Sequence, residues 1–303
     1  MNVTINRSLF CYVFLAAFLS FPGKIFAQPF EIGYTSVRAT DKSRDGRVVE
    51  LLVYYPADSS GEDVPVATPT VKGFPVVSFG HGYRMPVSYY ENIWTALVPG
   101  GYVVVLPESE TKMFPSHSEF GLDLVFAIKH IMTENDDSAS IFYHRLNSKS
   151  CLMGHSMGGG SAILGAEHYN AVTSLAVLSP LDTRPSSAEA AKSVTIPSLV
   201  ITGSNDFITP PRKHALPVFN ALASPEKRYI SIKGGNHCNM AIKNRLCDFA
   251  ERTRPGNKIS REEQHAIINR YLLTWLDYTL RGSSEAKRKL ESMLQTDKSV
   301  ESR

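Results

Sequence analysis

The order of segments along the chain predicts an α/β fold with a mostly parallel central sheet flanked by helices. Three observations carry this expectation. Strand-like and helix-like segments alternate through residues 30–282 with no repeat and no low-complexity linker, the pattern of a sheet with helical crossovers. Some strands read as uninterrupted apolar runs, as in Tyr102-Val103-Val104-Val105-Leu106, which suits a strand covered on both faces. Another strand, Lys149 to Met153, runs straight into Gly154-His155-Ser156-Met157-Gly158 and then into a helical segment, Gly160 to His168.

Each element has its own signal. Val48 to Tyr55 reads as an early strand. Phe74 to Phe79 is a short apolar strand ending in Gly80-His81-Gly82, and Val87 to Leu97 reads as a helix stopped by Pro99-Gly100-Gly101. Tyr102 to Pro107 follows as a buried strand, and Phe120 to Met132 has helical spacing. Thr173 to Leu178 and Ser198 to Ile201 are strands, Pro211 to Ala223 is helical, and Arg228 to Ile232 is the last clear strand. Ser260 to Leu280 is a long helix, with Ser260 as N-cap and Glu263 at capping-box spacing. Residues 283–303 read as a polar, loose C-terminal tail.

Composition narrows the class. The chain has 303 residues, 43% hydrophobic and 20% charged, so it can bury a large core and is neither fibrous nor disordered. The net charge is +3 with scattered Lys and Arg. No basic stripe or reading motif is visible, which sets nucleic-acid partners aside. Residues 1–27 read as a signal peptide: Arg7 supplies the positive region, Leu9 to Phe21 is apolar except for Ser20, and Ala27 precedes a cut ahead of Gln28. The apolar run is shorter than the roughly 20 residues a membrane span needs. Cleavage removes Arg7 and Lys24 and no acid, so the charge falls from +3 to +1. The mature protein is then periplasmic or extracellular. Cys151, Cys238 and Cys247 remain. Export permits a disulfide; Cys238 and Cys247 are close enough in sequence to bridge one loop, while Cys151 sits in a strand as a buried thiol. No metal-ligand spacing occurs, and neither a metal nor a cofactor is expected.

The glycine-rich turn carries the chemistry. A serine between glycines, with a strand before and a helix after, is lifted above the sheet edge. Its alcohol is a poor nucleophile until a base takes the proton. The base is expected late in the chain after the last strand, and His237 in Gly234-Gly235-Asn236-His237 fits. The acid that orients the imidazole is expected between them, after an intervening strand. Asp206 in Gly203-Ser204-Asn205-Asp206 fits; Asp182, one strand earlier, is the rival. An oxyanion hole needs two backbone N–H donors. Met157 supplies one, and Tyr83, on the loop after the early strand, is the expected second. His81 is expected to brace that loop.

These residues have a family likeness. Gly154 to Gly160, Asn205-Asp206-Phe207-Ile208-Thr209-Pro210 and Gly234 to Cys238 resemble bacterial cutinase-like polyester hydrolases and related lipases. Ser78 to Tyr83 looks closer to the chlorophyllase and platelet-activating-factor acetylhydrolase branch. The resemblance spans roughly residues 74–240 in motif order and implies an α/β-hydrolase fold, with residues 28–282 as the expected catalytic domain. It also implies Ser156, Asp206 and His237 as catalytic triad, Tyr83 and Met157 as oxyanion donors, and Ile208 as an acyl-side wall. Two departures stand out. Leu181 lies in the loop where polyester hydrolases carry tryptophan. The usual cysteine partner of Cys238 is Gly203 here, which leaves Cys247.

The expected activity is hydrolysis of carboxylic esters, lipid-like or aliphatic, by a monomer that makes transient contact with a lipid surface. Amide hydrolysis or acyl transfer on the same triad, and a catalytically dead binding scaffold, are the alternatives. The residues expected around Ser156 are apolar or aromatic (Tyr83, Met157, Leu181, Phe207 and Ile208), and no lysine or arginine is expected among them.

Overall fold

The computed structural model describes residues 30–69, 72–169, 171–242, 245–252, 256 and 258–303. The expected leader, residues 1–27, lies outside the described residues. The strands are β1 (Glu31–Asp41), β2 (Arg47–Ala57), β3 (Gly61–Glu62), β4 (Phe74–Gly80), β5 (Val103–Pro107), β6 (Leu146–His155), β7 (Ser174–Leu178), β8 (Ser198–Gly203), β9 (Lys227–Ile232) and β10 (Val300–Ser302). The helices are α1 (Glu91–Leu97), α2 (His117–Thr133), α3 (Met157–His168), α4 (Ser187–Ala190), α5 (Ala215–Ala221), α6 (Arg245–Arg252), α7 (Arg261–Thr279) and α8 (Ser284–Thr296).

Among the described residues, ten strands form one sheet in the order β10-β9-β8-β7-β6-β4-β5-β2-β1-β3. The run from β9 to β5 is parallel throughout. β2 joins antiparallel to β5, and β10 antiparallel to β9. One face packs Leu124, Ile128, Ile163 and Val218, from α2, α3 and α5. The other packs Ile93, Leu97, Ile268, Trp275 and Leu290, from α1, α7 and α8. The central strands are therefore covered on both sides, which is why β4, β5, β7 and β8 are buried along their whole length.

The two ends of the described chain differ from the sequence expectation. β1 pairs with β2 over eleven positions, yet its sequence EIGYTSVRATD is mostly polar. It lies near the sheet edge, where one face meets water and hydrophobic alternation weakens. The loose tail expected over residues 283–303 is corrected: it forms α8 and β10. Ser283 accepts a hydrogen bond from the Ala286 N–H as N-cap of α8 (3.1 Å), and Leu290 is 1% exposed. The polar face of α8 hid a narrow apolar face that closes over α7.

Parallel strands all end on one side, and ligands bind beyond those ends in open α/β sheets. β4, β6, β8 and β9 deliver Tyr83, Ser156, Asp206 and His237 to that side.

Candidate active site

Ser156 is the single residue between β6 and α3. Its backbone is strained, at φ 56° and ψ −118°, a conformation that costs an L-residue and persists only where its surroundings hold it. Three main-chain bonds do so. Its N–H donates to the Leu178 carbonyl at 3.0 Å, and its own carbonyl accepts from Gly160 N (3.0 Å) and Leu181 N (2.9 Å). The turn closes because two positions lack a Cβ. At Gly158 a Cβ would run into the Gly80 carbonyl, and at Gly154 into the backbone of Gly158.

His237 follows β9, and Asp206 follows β8. The His237 Nδ1 lies 2.9 Å from Asp206 Oδ2 and 3.0 Å from Thr209 Oγ1. A carboxylate partner requires the proton on Nδ1, which leaves Nε2 as the basic nitrogen. The Asp206 carboxylate also accepts from Ile208 N (3.1 Å), Thr209 N (2.7 Å) and Thr209 Oγ1 (2.9 Å). Those donors satisfy a carboxylate that is almost wholly buried, which an isolated charge would not tolerate. Asp182 does something else: it accepts from Ser186 Oγ (2.8 Å) and Ala188 N (3.1 Å) at the start of α4.

Ser156 and His237 open into one cleft of about 480 Å³, walled by Tyr83, Arg84, Met85, Ile208 and Cys247. Met157, the first residue of α3, has a buried side chain and a main-chain N–H with no intrahelical acceptor. Phe207 instead borders a neighbouring cleft of about 510 Å³ together with Asp206. Leu181 is half-buried and meets Ser156 through its main chain. The expectation that no arginine lies at the site is corrected by Arg84, which directly follows Tyr83 on the loop after β4 and so lines the same cleft.

The loop bearing Tyr83 is braced from both ends. His81 is wholly buried, with Nε2 2.8 Å from the Ser109 carbonyl and Nδ1 2.9 Å from that of Gly82. Ser109 Oγ in turn donates to Asp123 (2.5 Å), which is buried against Arg44 (2.7 Å) and Arg47 (2.6 Å). On the other side, the Tyr90 hydroxyl accepts from Gly82 N at 2.7 Å and lies 2.9 Å from His155 Nδ1. Tyr90 thus links this loop to the residue before Ser156. The His155 ring packs against that of His237 at 4.5 Å between centroids. Burial first, and the charge of His237 second, hold His155 well below the usual histidine range.

Four supporting residues escaped the sequence reading. Thr209 had a signal, an Asp-x-x-Thr turn. Tyr90, Gln264 and Glu251 had none, because they act across the fold. Gln264 is buried and bonds both the N–H (2.9 Å) and the carbonyl (2.8 Å) of Asn236. Glu251 on α6 accepts from His237 N (2.9 Å) and Cys238 N (3.2 Å). A Cys238–Cys247 disulfide ties α6 to the same loop, and Cys151 is a buried free thiol whose burial pushes its pKa up.

Burial is the largest influence on Glu251 and raises its pKa above the usual 4.5, against the lowering by the two N–H donors. A raised folded-state value means folding favours the protonated acid, so stability falls as pH rises through it. Glutamine cannot ionise. The stability of Glu251→Gln relative to wild type should therefore improve as pH rises from about 4.5 to about 7. Urea melts at four or five pH values check this, and a difference flat with pH contradicts it.

Comparison with known proteins fits this geometry. A family profile described as PETase: PET hydrolase-like matches residues 29–251. Cutinase est2 of Thermobifida alba is 24% identical over 195 residues, 64% of this chain and 58% of that protein. Cutinase 2 of Thermobifida cellulosilytica is 25% identical over 224 residues, 73% of this chain and 83% of that protein. A bis(hydroxyethyl) terephthalate hydrolase of Streptomyces coelicolor is 25% identical over 186 residues, 61% of this chain and 54% of that protein. The aligned part thus spans little more than half the length of two of these three relatives. The family match covers most of the chain and contains Ser156, Asp206 and His237. The chain belongs to the PET hydrolase-like family.

Proposed function

We propose that the protein hydrolyses carboxylic esters through an acyl-enzyme, with Ser156 as nucleophile, His237 as base and Asp206 as the acid that orients it. The observation that carries this reading is the buried Asp206–His237 bond beside a cleft that also holds Ser156. His237 Nε2 takes the Ser156 proton as Oγ adds to the ester carbonyl. The N–H groups of Met157 and Tyr83 receive the oxyanion. Collapse breaks the bond to the alcohol, which leaves with the proton from His237. Water then repeats the sequence on the acyl-enzyme and releases the acid. Asp206 stays ionised and stabilises the imidazolium.

Ile208 and Tyr83 form the acyl-side walls in this reading, with Met85 beside them. Their apolar surface suits aliphatic chains. Aromatic polyester is the weaker substrate in this account, although one relative is named for a terephthalate ester. Neither tryptophan borders the cleft: Trp94 stacks on Tyr54 at 4.2 Å, and Trp275 is buried with its Nε1–H on Ser174 Oγ. Contact with a lipid or polyester surface is supported by the exposed Phe114 beside Met113, whose carbonyl accepts from the Tyr83 hydroxyl at 2.8 Å. The signal-peptide reading of residues 1–27 and a disulfide suited to an oxidising compartment support export. The catalytic unit in this reading starts after the leader and includes α8 and β10, and the protein acts as a monomer.

Two measurements follow from this reading. Asp206→Asn should cut kcat by about four decades, as loss of the orienting acid does in a known triad. Asp182→Asn should stay within about tenfold of wild type, because it loses only a turn cap. A p-nitrophenyl butyrate assay on both variants decides, and a worse lesion at Asp182 would reassign the acid. In the second, kcat/KM should rise severalfold per added methylene from acetyl to about hexanoyl, at about 0.8 kcal/mol each. An acetyl optimum in the ester series, or rapid hydrolysis of an aromatic polyester film, would contradict the apolar aliphatic pocket.

A further inference from the structure

We infer that Arg84 makes this cleft selective for esters whose acyl chain ends in a free carboxylate, the half-esters of dicarboxylic acids. The inference rests on the ester-hydrolase reading above and adds the charge of the substrate to it. Arg84 directly follows Tyr83 and borders the cleft that holds Ser156 and His237. It carries the one permanent charge among the described lining residues, and no carboxylate is among them. The other walls, Tyr83, Met85, Ile208 and the disulfide-bonded Cys247, offer no countercharge. Arg84 is exposed and makes no hydrogen bond or ion pair among the described residues. Its fork of donors is therefore free to take a ligand carboxylate in the two-point geometry that guanidinium favours.

The backbone points the same way. Arg84 sits at φ 53°, in the left-handed region where glycine or asparagine is less costly. A charged side chain held at such a position beside a reaction site is a candidate for function. A chain attached to Ser156 at one end and ending in carboxylate would run along apolar walls before meeting the guanidinium. Cleavage inside a dicarboxylic acid polyester generates such chain ends, so the reaction that supplies this substrate is of the same class as the one that consumes it.

An opposing charge lies close by. Arg84 also borders a second cleft with Glu50 and Glu108. Glu50 is paired with Arg38 at 2.9 Å. Glu108 is exposed and has no ion pair among the described residues, so it competes for Arg84 or repels an anionic substrate. Removing that carboxylate should strengthen selectivity for anions.

The test compares monomethyl adipate with dimethyl adipate in a pH-stat, as kcat/KM per ester bond. The two share the scissile bond and differ in one charge, so the ratio cancels any general effect of a substitution on the site. The expected result is a ratio that falls about tenfold in Arg84→Gln, is largely kept in Arg84→Lys and rises in Glu108→Gln. The wild-type ratio should also shrink in about 0.5 M salt, where exposed charges are screened. Adipate should inhibit dimethyl adipate hydrolysis less well in Arg84→Gln than in wild type. A ratio within twofold of wild type in Arg84→Gln, or a ratio that responds to Glu108→Gln alone, overturns the inference. Ser156→Ala separates the two levels. If it keeps activity on dimethyl adipate, the site reading itself fails; if it is inactive while the ratio ignores Arg84, only the charge selectivity fails.

Discussion

The close approach of two glycine backbones, Gly158 against Gly80, is the constraint on which the rest of the site depends. A Cβ at Gly158 would collide with the Gly80 carbonyl. Without one, the start of α3 lies directly against the end of β4. That approach sets the loop after β4, which carries Tyr83, against the start of α3. The turn at Ser156 beside it has a strained φ of 56°. The strain is held by hydrogen bonds to β7 and to the loop after it, not by the serine side chain. The hydroxyl is left for chemistry.

Around that frame the buried polar groups are matched. The Asp206 carboxylate is satisfied by two N–H groups, a hydroxyl and the His237 ring. The His237 main chain is tied down by Glu251 on one side and, through Asn236, by Gln264 on the other. The Tyr83 loop hangs between an ion network at Asp123 and the hydroxyl of Tyr90. These partners come from the β1–β2 hairpin, the turn leading into α1, and α2, α6 and α7, elements with no role in the chemistry itself. Preorganisation of this kind is what electrostatic catalysis requires, because groups already aimed need not reorient when charge develops.

The sequence made the candidate triad legible and left its supports hidden, for a physical reason. Ser156, Asp206 and His237 each follow a buried strand and sit in short glycine-containing turns, so local pattern and chain order locate them. Asp182 shares that position; its carboxylate accepts from Ser186 and Ala188, whereas that of Asp206 faces His237. Tyr90, Gln264 and Glu251 lie in helical segments or their approaches, where the local pattern records burial and not partner. β1 was missed because its edge position exposes polar residues, and α8 because a mostly polar helix reads as a tail until the face carrying Leu290 has something to cover. Arg84 carries no local signal, since its place in the cleft wall depends on the fold of the turn around it.

The central claim is that the Asp206–His237 pair activates Ser156, and covalent labelling tests it most directly. A fluorophosphonate reacts with an activated serine and marks it for peptide mass spectrometry. The account predicts a single adduct on Ser156, formed rapidly in the wild-type protein and orders of magnitude more slowly in His237→Ala. An adduct on another residue, or labelling of Ser156 at an unchanged rate without His237, would contradict it.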